Sequence, residues 1–247
     1  MTTPEILTRA LWRAADAVCF DVDSTVCMDE AIDELAKFAK KEKEVMELTL
    51  RAMRGGMTFR EALAKRLEMI QPTTDMLNNY LRSHPPHLTP GIEDLISELH
   101  DRGVAVYLVS GGFHAIIDPV AQHLDIPLKN VFANSIKFYF NGQLIFFVYL
   151  VLNLGMNYTL KGEYAGFDEN EPTSHQEGKA EVCAYLKHRF GYRRLIMIGD
   201  GATDLAACPP ADAFIGFGGN QVREKVKQDA SWFVTSFQEL LAELRRN

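Results

Sequence analysis

Ala17-Val18-Cys19-Phe20-Asp21-Val22-Asp23-Ser24-Thr25 is a short apolar run that ends on an acid, with a second acid two residues later. An unbroken apolar run of this length is the pattern of a strand covered on both faces. It predicts a buried strand with Asp21 at its carboxyl end. The runs 104–110 (VAVYLVS, then Gly111-Gly112), 195–200 (LIMIGD, then Gly201) and 213–217 (AFIGF, then Gly218-Gly219) have the same form. Between them lie helical patterns, notably 92–100, with Ile92, Leu95, Ile96 and Leu99 at helical spacing, and 180–190. Strands alternating with helices imply an α/β fold, a Rossmann-like parallel sheet with helices on both faces.

In such a sheet the ligand crevice lies beyond the carboxyl ends of the strands. Three of these ends carry Asp21, Ser110 and Asp200, from positions nearly two hundred residues apart. Scattered surface acids would not converge in this way.

From the first strand to Val104 runs a stretch of about eighty residues, where an ordinary strand-to-helix connection takes only a few. Amphipathic helices are predicted at 30–40, 42–53 and 58–70, and Thr89-Pro90-Gly91 marks the return to the sheet. The reading is a core of residues 1–24 and 90–247 with a small helical cap, 25–89, inserted after strand one. A cap over the strand ends would exclude water and touch the non-reacting part of a substrate.

The 247 residues are 47% hydrophobic and 24% charged, an ordinary globular balance. A net charge of −7 offers no field for nucleic acid or an acidic membrane surface, so the expected partner is a small molecule. Cys19, Cys27, Cys183 and Cys208 lack metal-site spacing and are read as reduced thiols of a cytoplasmic protein. The first seventeen residues carry Glu5, Arg9, Arg13 and Asp16 and do not resemble a secretory signal. The apolar run 144–152 (LIFFVYLVL) is too short for a helical membrane span, which needs about 20 residues.

Asp21 and Asp23 can serve one reaction centre, one as nucleophile toward phosphorus and the other as general acid and then base. Carboxylates repel a phosphate dianion, so the site needs a hard cation such as Mg²⁺, with Asp200 completing its ligands. Ser110-Gly111-Gly112 offers a hydroxyl and close backbone N–H groups to phosphate. Taken singly each motif has a plainer meaning: D-x-D-x-T a solvated turn, S-G-G a strand-ending turn, Thr203 or Asp204 a helix cap, Lys179 a solvated helix residue.

Together, D-x-D-x-T at Asp21, Ser110 after the second strand, Lys179 and G-D-x-x-x-D at 199–204 resemble the haloacid dehalogenase superfamily. The likeness extends to AIDELAKF, SGGF, VFAN, FYFNG, EYAGFDE and CPPADAFIGFGGN, which are similar to its phosphoserine-hydrolysing branch over nearly the whole chain. The resemblance implies a haloacid dehalogenase-like core with a β-hairpin extension, and dephosphorylation of O-phospho-L-serine through an aspartyl phosphate, the last step of serine biosynthesis. It implies Asp21 as nucleophile, Asp23 as acid and base, and Asp21, the Asp23 carbonyl and Asp200 as Mg²⁺ ligands oriented by Asp204. Ser110 and Lys179 would hold the phosphoryl group. Glu30 would meet the substrate ammonium and Arg66 its carboxylate, with Met53, Arg54, Phe59, Gly111, Gly112 and Thr203 also against the substrate. A homodimer is a family expectation.

Two departures stand out. Arg54 occupies a position where the family usually has glycine. Residues 143–162, including the apolar run, separate Phe140-Asn141-Gly142 from Glu163, segments that adjoin as a hairpin in the family. The alternatives are a phosphatase or phosphotransferase for another small metabolite, and a receiver-like module phosphorylated on aspartate. Glu30 with Arg66 separates them, because a substrate without both ammonium and carboxylate leaves one of the pair unmatched.

Overall fold

The computed structural model describes residues 3–53, 55–140, 143–146 and 162–246, with no side-chain description at 53, 140 and 143–146. Six parallel strands form the main sheet in the order β3-β2-β1-β7-β8-β9. They are β1 (Ala17–Phe20), β2 (Ala105–Phe113), β3 (Val131–Asn134), β7 (Leu195–Gly199), β8 (Ala213–Phe217) and β9 (Trp232–Val234). β1 lies at the centre, with Phe20 level with Leu108 on one side and Ile198 on the other.

Alternate residues of these strands feed two separate apolar layers, as a period of two requires. Val18, Phe20, Leu108, Ile198 and Ile215 face α1 (Thr3–Arg13), α6 (Ile92–Asp101), α7 (His114–His123) and α11 (Phe237–Leu244). Cys19, Tyr107, Val109 and Met197 face α8 (Gly178–Phe190) and α10 (Glu224–Asp229). Burial on both sides explains why the strands read as unbroken apolar runs.

Between β1 and β2 come α2 (Ala31–Phe38), α3 (Glu42–Met53), α4 (Phe59–Ile70) and α5 (Thr74–Ser83). Thr58 opens α4 with a reciprocal capping box to Glu61. Leu35, Leu63, Leu67 and Tyr80 from these helices build a third apolar cluster with Phe113, Ile136 and Phe138. Three helices were expected here; the fourth, α5, carries its apolar residues Leu77 and Tyr80 inward.

A second, antiparallel sheet has the order β5-β4-β6, from β4 (Ile136–Phe140), β5 (Gln143–Phe146) and β6 (Glu163–Phe167). β4 pairs directly with β6, Ile136 opposite Phe167, which is the expected hairpin pairing. β5 adds an outer strand to β4's other edge. The expected Asn141-Gly142 turn and most of the 143–162 insertion lie outside the described residues. Gly162, where the chain returns, is anchored by hydrogen bonds with Thr74 in both directions. The four cysteines are free thiols, and no helix among the described residues is long and apolar enough to cross a membrane.

Candidate active site

β1 ends at Phe20, and the chain turns tightly through 22–26 to reach α2. Ser24 sits there at φ 55°, a left-handed conformation costly for a residue other than glycine. The turn aims Asp21 and Asp23 into one space. Asn220 braces it from below, donating to the carbonyls of Ser24, Thr25 and Cys27 and to Thr89 Oγ1. Asp21 Oδ1 accepts the Val22 N–H at 2.7 Å and meets Lys179 Nζ at 2.7 Å. Asp23 Oδ1 accepts the first N–H of α2, from Ala31, at 2.9 Å, so this acid joins the sheet to the helical segment.

Lys179 stands in the first turn of α8, buried between Asp21 and Asp204, with Asp204 Oδ1 at 2.6 Å. Asp200 follows β7, and Asp204 lies on the single-turn helix α9 (Ala202–Leu205), its Oδ2 accepting the Gly201 N–H. A Cβ at Gly199 would sit 2.3 Å from the Asp204 carboxyl carbon, so only glycine lets that acid tuck beneath the loop. Ser110 is fully buried and accepts the Gly112 N–H at 2.9 Å. The expected strand stops at Ser110, with Gly111 and Gly112 beyond it as a phosphate-binding segment. They instead belong to β2, whose pairing with β3 shifts register between Val109 and Phe113.

A cavity of about 330 Å³ collects these groups. Asp21, Asp23, Lys179, Asp200, Gly111 and Gly112 form its sheet side, with Thr203 beside them. Glu30, Phe59 and Arg66 face them from the helical segment. Phe59 lies so close to Gly111 that a Cβ there would come within 2.8 Å of the ring. Arg66 donates Nε to Ala62 O and makes no ion pair among the described residues. Ser110, next to Gly111 in β2, is buried and is not among the residues that line the cavity. Arg54 and the Met53 side chain lie outside the described residues.

The sequence reading missed Arg223. Its Nε donates to Asp200 Oδ2 at 2.6 Å and its Nη2 to Glu30 Oε1 at 3.1 Å, and Ser24 Oγ also holds Glu30. It follows the carboxyl end of β8, the same kind of position that marks Asp21, but in no recognisable motif. His175 and Thr173 line the cavity as well and carried no sequence signal.

Burial dominates the electrostatics. It pushes Asp21 up to about 7, aided by Asp204 and opposed by Lys179. Asp23 rises to about 8 through burial and its neighbours Glu30 and Asp21. Burial also raises Asp200, Asp204 and Glu30. Burial works against the Lys179 charge, yet Asp204 and Asp21 outweigh it and hold the ammonium firmly protonated. Burial lowers Arg66, with Asp33, Glu30 and Asp23 opposing. Acids this crowded fit a hard divalent cation. Asp21, Asp200 and Asp204 each present an oxygen within 4.8 Å of the others. Both Asp204 oxygens are engaged, by Lys179 and Gly201, which suits it to orienting the site.

A parallel sheet with a helical segment after its first strand, and acids converging at the strand ends, defines a class. The chain belongs to the haloacid dehalogenase-like hydrolases, whose family model matches residues 15–212. Phosphoserine phosphatase of Rattus norvegicus is 54% identical over 236 residues, 96% of each chain. The structure of DsGPDH of Dunaliella salina superposes with a TM-score of 0.79 at 37% identity, over 96% of this chain and 37% of that one. A phospho-aspartyl intermediate analogue of a phosphoserine phosphatase shares the fold, with a TM-score of 0.71 at 24% identity over 94% of this chain and 99% of that one. The resemblance read from the motifs is borne out.

Proposed function

We propose that this chain hydrolyses O-phospho-L-serine to L-serine and inorganic phosphate, the last step of serine biosynthesis, through phosphorylated Asp21. The observation that carries the reading is the single cavity in which Asp21, Asp23, Lys179 and Asp200 face Glu30 and Arg66. The substrate has a phosphate for the first group and an ammonium and a carboxylate for the second. Glu30 would pair with the ammonium and Arg66 would grip the carboxylate with its planar fork.

Asp21 attacks phosphorus, forming a bond from its carboxylate oxygen while the bond to the seryl oxygen breaks. Asp23, held protonated by burial, gives its proton to that oxygen, and serine leaves. Asp23 then takes a proton from water as the water oxygen attacks phosphorus, which frees Asp21 and releases phosphate. Lys179 and Ser110 offset charge on the equatorial phosphoryl oxygens. Asp21, the Asp23 carbonyl and Asp200 would hold Mg²⁺, which supplies the positive charge that lets a phosphate dianion approach these carboxylates. In this reading residues 25–89 are a cap on the core of 1–24 and 90–247, and Phe59 and the helices around it exclude water. Cytoplasmic residence and a homodimer are part of the proposal on family likeness.

Phosphate release from L-phosphoserine, compared with O-phosphoethanolamine, tests it. The expected result is selective turnover of L-phosphoserine that is abolished by EDTA and reduced about 10⁴-fold or more by Asp21→Asn. Equal turnover of both esters would refute the substrate, and an active Asp21→Asn would refute the mechanism.

A further inference from the structure

A second cavity, of about 520 Å³, lies on the far side of the turn that carries Asp21 and Asp23. It is larger than the reaction cavity, and Asp23 is part of the wall of both. Its size is that of a site for a small organic molecule.

Its position matters more than its size. The two linkers between the helical segment and the sheet both line it, the first with Cys27 and Asp29 and the second with His84, Pro85, Pro86 and His87. The linkers are tied to each other, since Met28 N donates to His87 O at 2.9 Å and Thr89 N to Val26 O at 2.9 Å. On one side stand α2 and α5 of the helical segment, through Glu34 and Tyr80. On the other stands α7 of the sheet's own helical layer, through Ile116, Ile117 and Val120. The cavity is therefore walled by both bodies and both linkers.

The lining sets the chemistry of the occupant. Most of the wall is apolar, and Tyr80 and His84 stack at 4.7 Å to give it an aromatic face. Asp23, Asp29 and Glu34 contribute carboxylates, and among the described residues neither lysine nor arginine lines it. Glu34 is shared with Lys37 and Asp29 with His87, both at the solvent edge where such pairs are weak. An apolar and aromatic pocket with acidic groups and no fixed cation selects a cation with an apolar body.

We propose that this cavity is a second ligand site, taking a small primary ammonium on an aromatic or branched apolar body, and that its occupant alters turnover by fixing the helical segment against the sheet. The ammonium meets Glu34 and Asp29, and the body lies along Tyr80 and Ile116. Because α2 begins at the N–H held by Asp23, an occupant that shifts α2 reaches the reaction cavity without entering it.

The test titrates full-length protein with phenethylammonium, using 3-phenylpropionate and 2-phenylethanol as probes of matched shape, by calorimetry and by phosphate release. The expected result is saturable binding of phenethylammonium that survives saturating inorganic phosphate and changes kcat, with weaker binding of the alcohol and none of the acid. Glu34→Gln should weaken it about fivefold, the effect of one partly exposed ion pair. Ile116→Trp, which fills the cavity, should abolish it while leaving basal turnover in place. Should the Trp variant fail to fold, Glu34→Lys decides the question by shifting preference to 3-phenylpropionate. Displacement by phosphate, equal binding of all three probes, or binding indifferent to the Glu34 substitutions would overturn the proposal.

Discussion

Asp21 and Asp200 follow strands of the sheet and Lys179 opens α8, which packs on it, whereas Glu30, Phe59 and Arg66, across the same cavity, stand on or beside helices that build an apolar cluster of their own. The sheet-side groups are locked to one another: Lys179 bridges Asp21 and Asp204 at 2.7 and 2.6 Å. On the helix side Glu30 is held by Arg223 and Ser24, while Arg66 donates only to the Ala62 carbonyl and makes no ion pair among the described residues. In the proposed reading the reacting groups, which tolerate little misplacement, stand on the sheet wall, and the groups that meet the rest of the substrate stand on the helical wall. Arg223, bonded to Asp200 and to Glu30, is the strut between them.

The largest effect that would break this division comes from the helix side. Arg66→Met or Glu30→Gln should lower kcat/KM for L-phosphoserine about 10²-fold, the scale for removing one partner of a desolvated charge pair. Turnover of a phosphate ester lacking the matching charged group should change little. Steady-state kinetics on both esters reads the difference. If both esters lose activity equally, the helix-side groups belong to the chemistry and the division fails.

The same division governs what the sequence disclosed. The strands were legible because burial on both faces makes β1, β2, β7 and β8 apolar runs, and Asp21 and Asp200 follow directly on β1 and β7. β9 has only three residues, and β3, no longer than β1, has its apolar run cut to Val131, Phe132 and Ala133 by Asn134. α7 was hidden by Pro119 within it, and α5 was not singled out between the 58–70 helix and Thr89-Pro90-Gly91. Arg223 was missed because its role depends on distance in space: Asp200 and Glu30 lie 23 and 193 residues away. Glu30 and Arg66 were found through family likeness alone, since an acid and an arginine on amphipathic helices look solvated by pattern.

A smaller effect sharpens the comparison through stability. Asp23 titrates at about 8 in the fold, driven by burial and then by Glu30 and Asp21, against about 3.9 in an unfolded chain. Between those values the folded state holds a proton that the unfolded state has released, so wild-type stability falls as pH rises across the window. Asn at this position keeps the oxygen that accepts the Ala31 N–H and removes the charge. Metal-free Asp23→Asn should therefore melt about 5 °C higher than wild type at pH 8, with the gap closing toward pH 4, and should be inactive. A lower melting temperature at pH 8 would mean that the ionised acid supports the fold.

The smallest effect concerns an acid with the opposite shift. Glu243 on α11 is as buried as Asp200, each 2% exposed, but it accepts hydrogen bonds from Arg9 at 2.7 Å, Arg246 at 3.2 Å and Arg13. Burial alone would raise it; the three arginines outweigh burial and hold it below the ordinary glutamate value. A depressed folded pKa contributes stability that is complete above the unfolded value of about 4.3 and is lost as pH falls through the folded one. Glu243→Gln should thus lower Tm by about 2–4 °C at pH 7, with the deficit shrinking below about pH 4 and turnover per folded molecule unchanged. Melting curves across pH check it. A deficit that persists undiminished at pH 3 would assign the loss to packing rather than charge. Burial is common to Glu243 and Asp23, so the sign of each shift comes from the company it keeps: arginines make a carboxylate a clasp, and other carboxylates make it an acid ready to give up a proton.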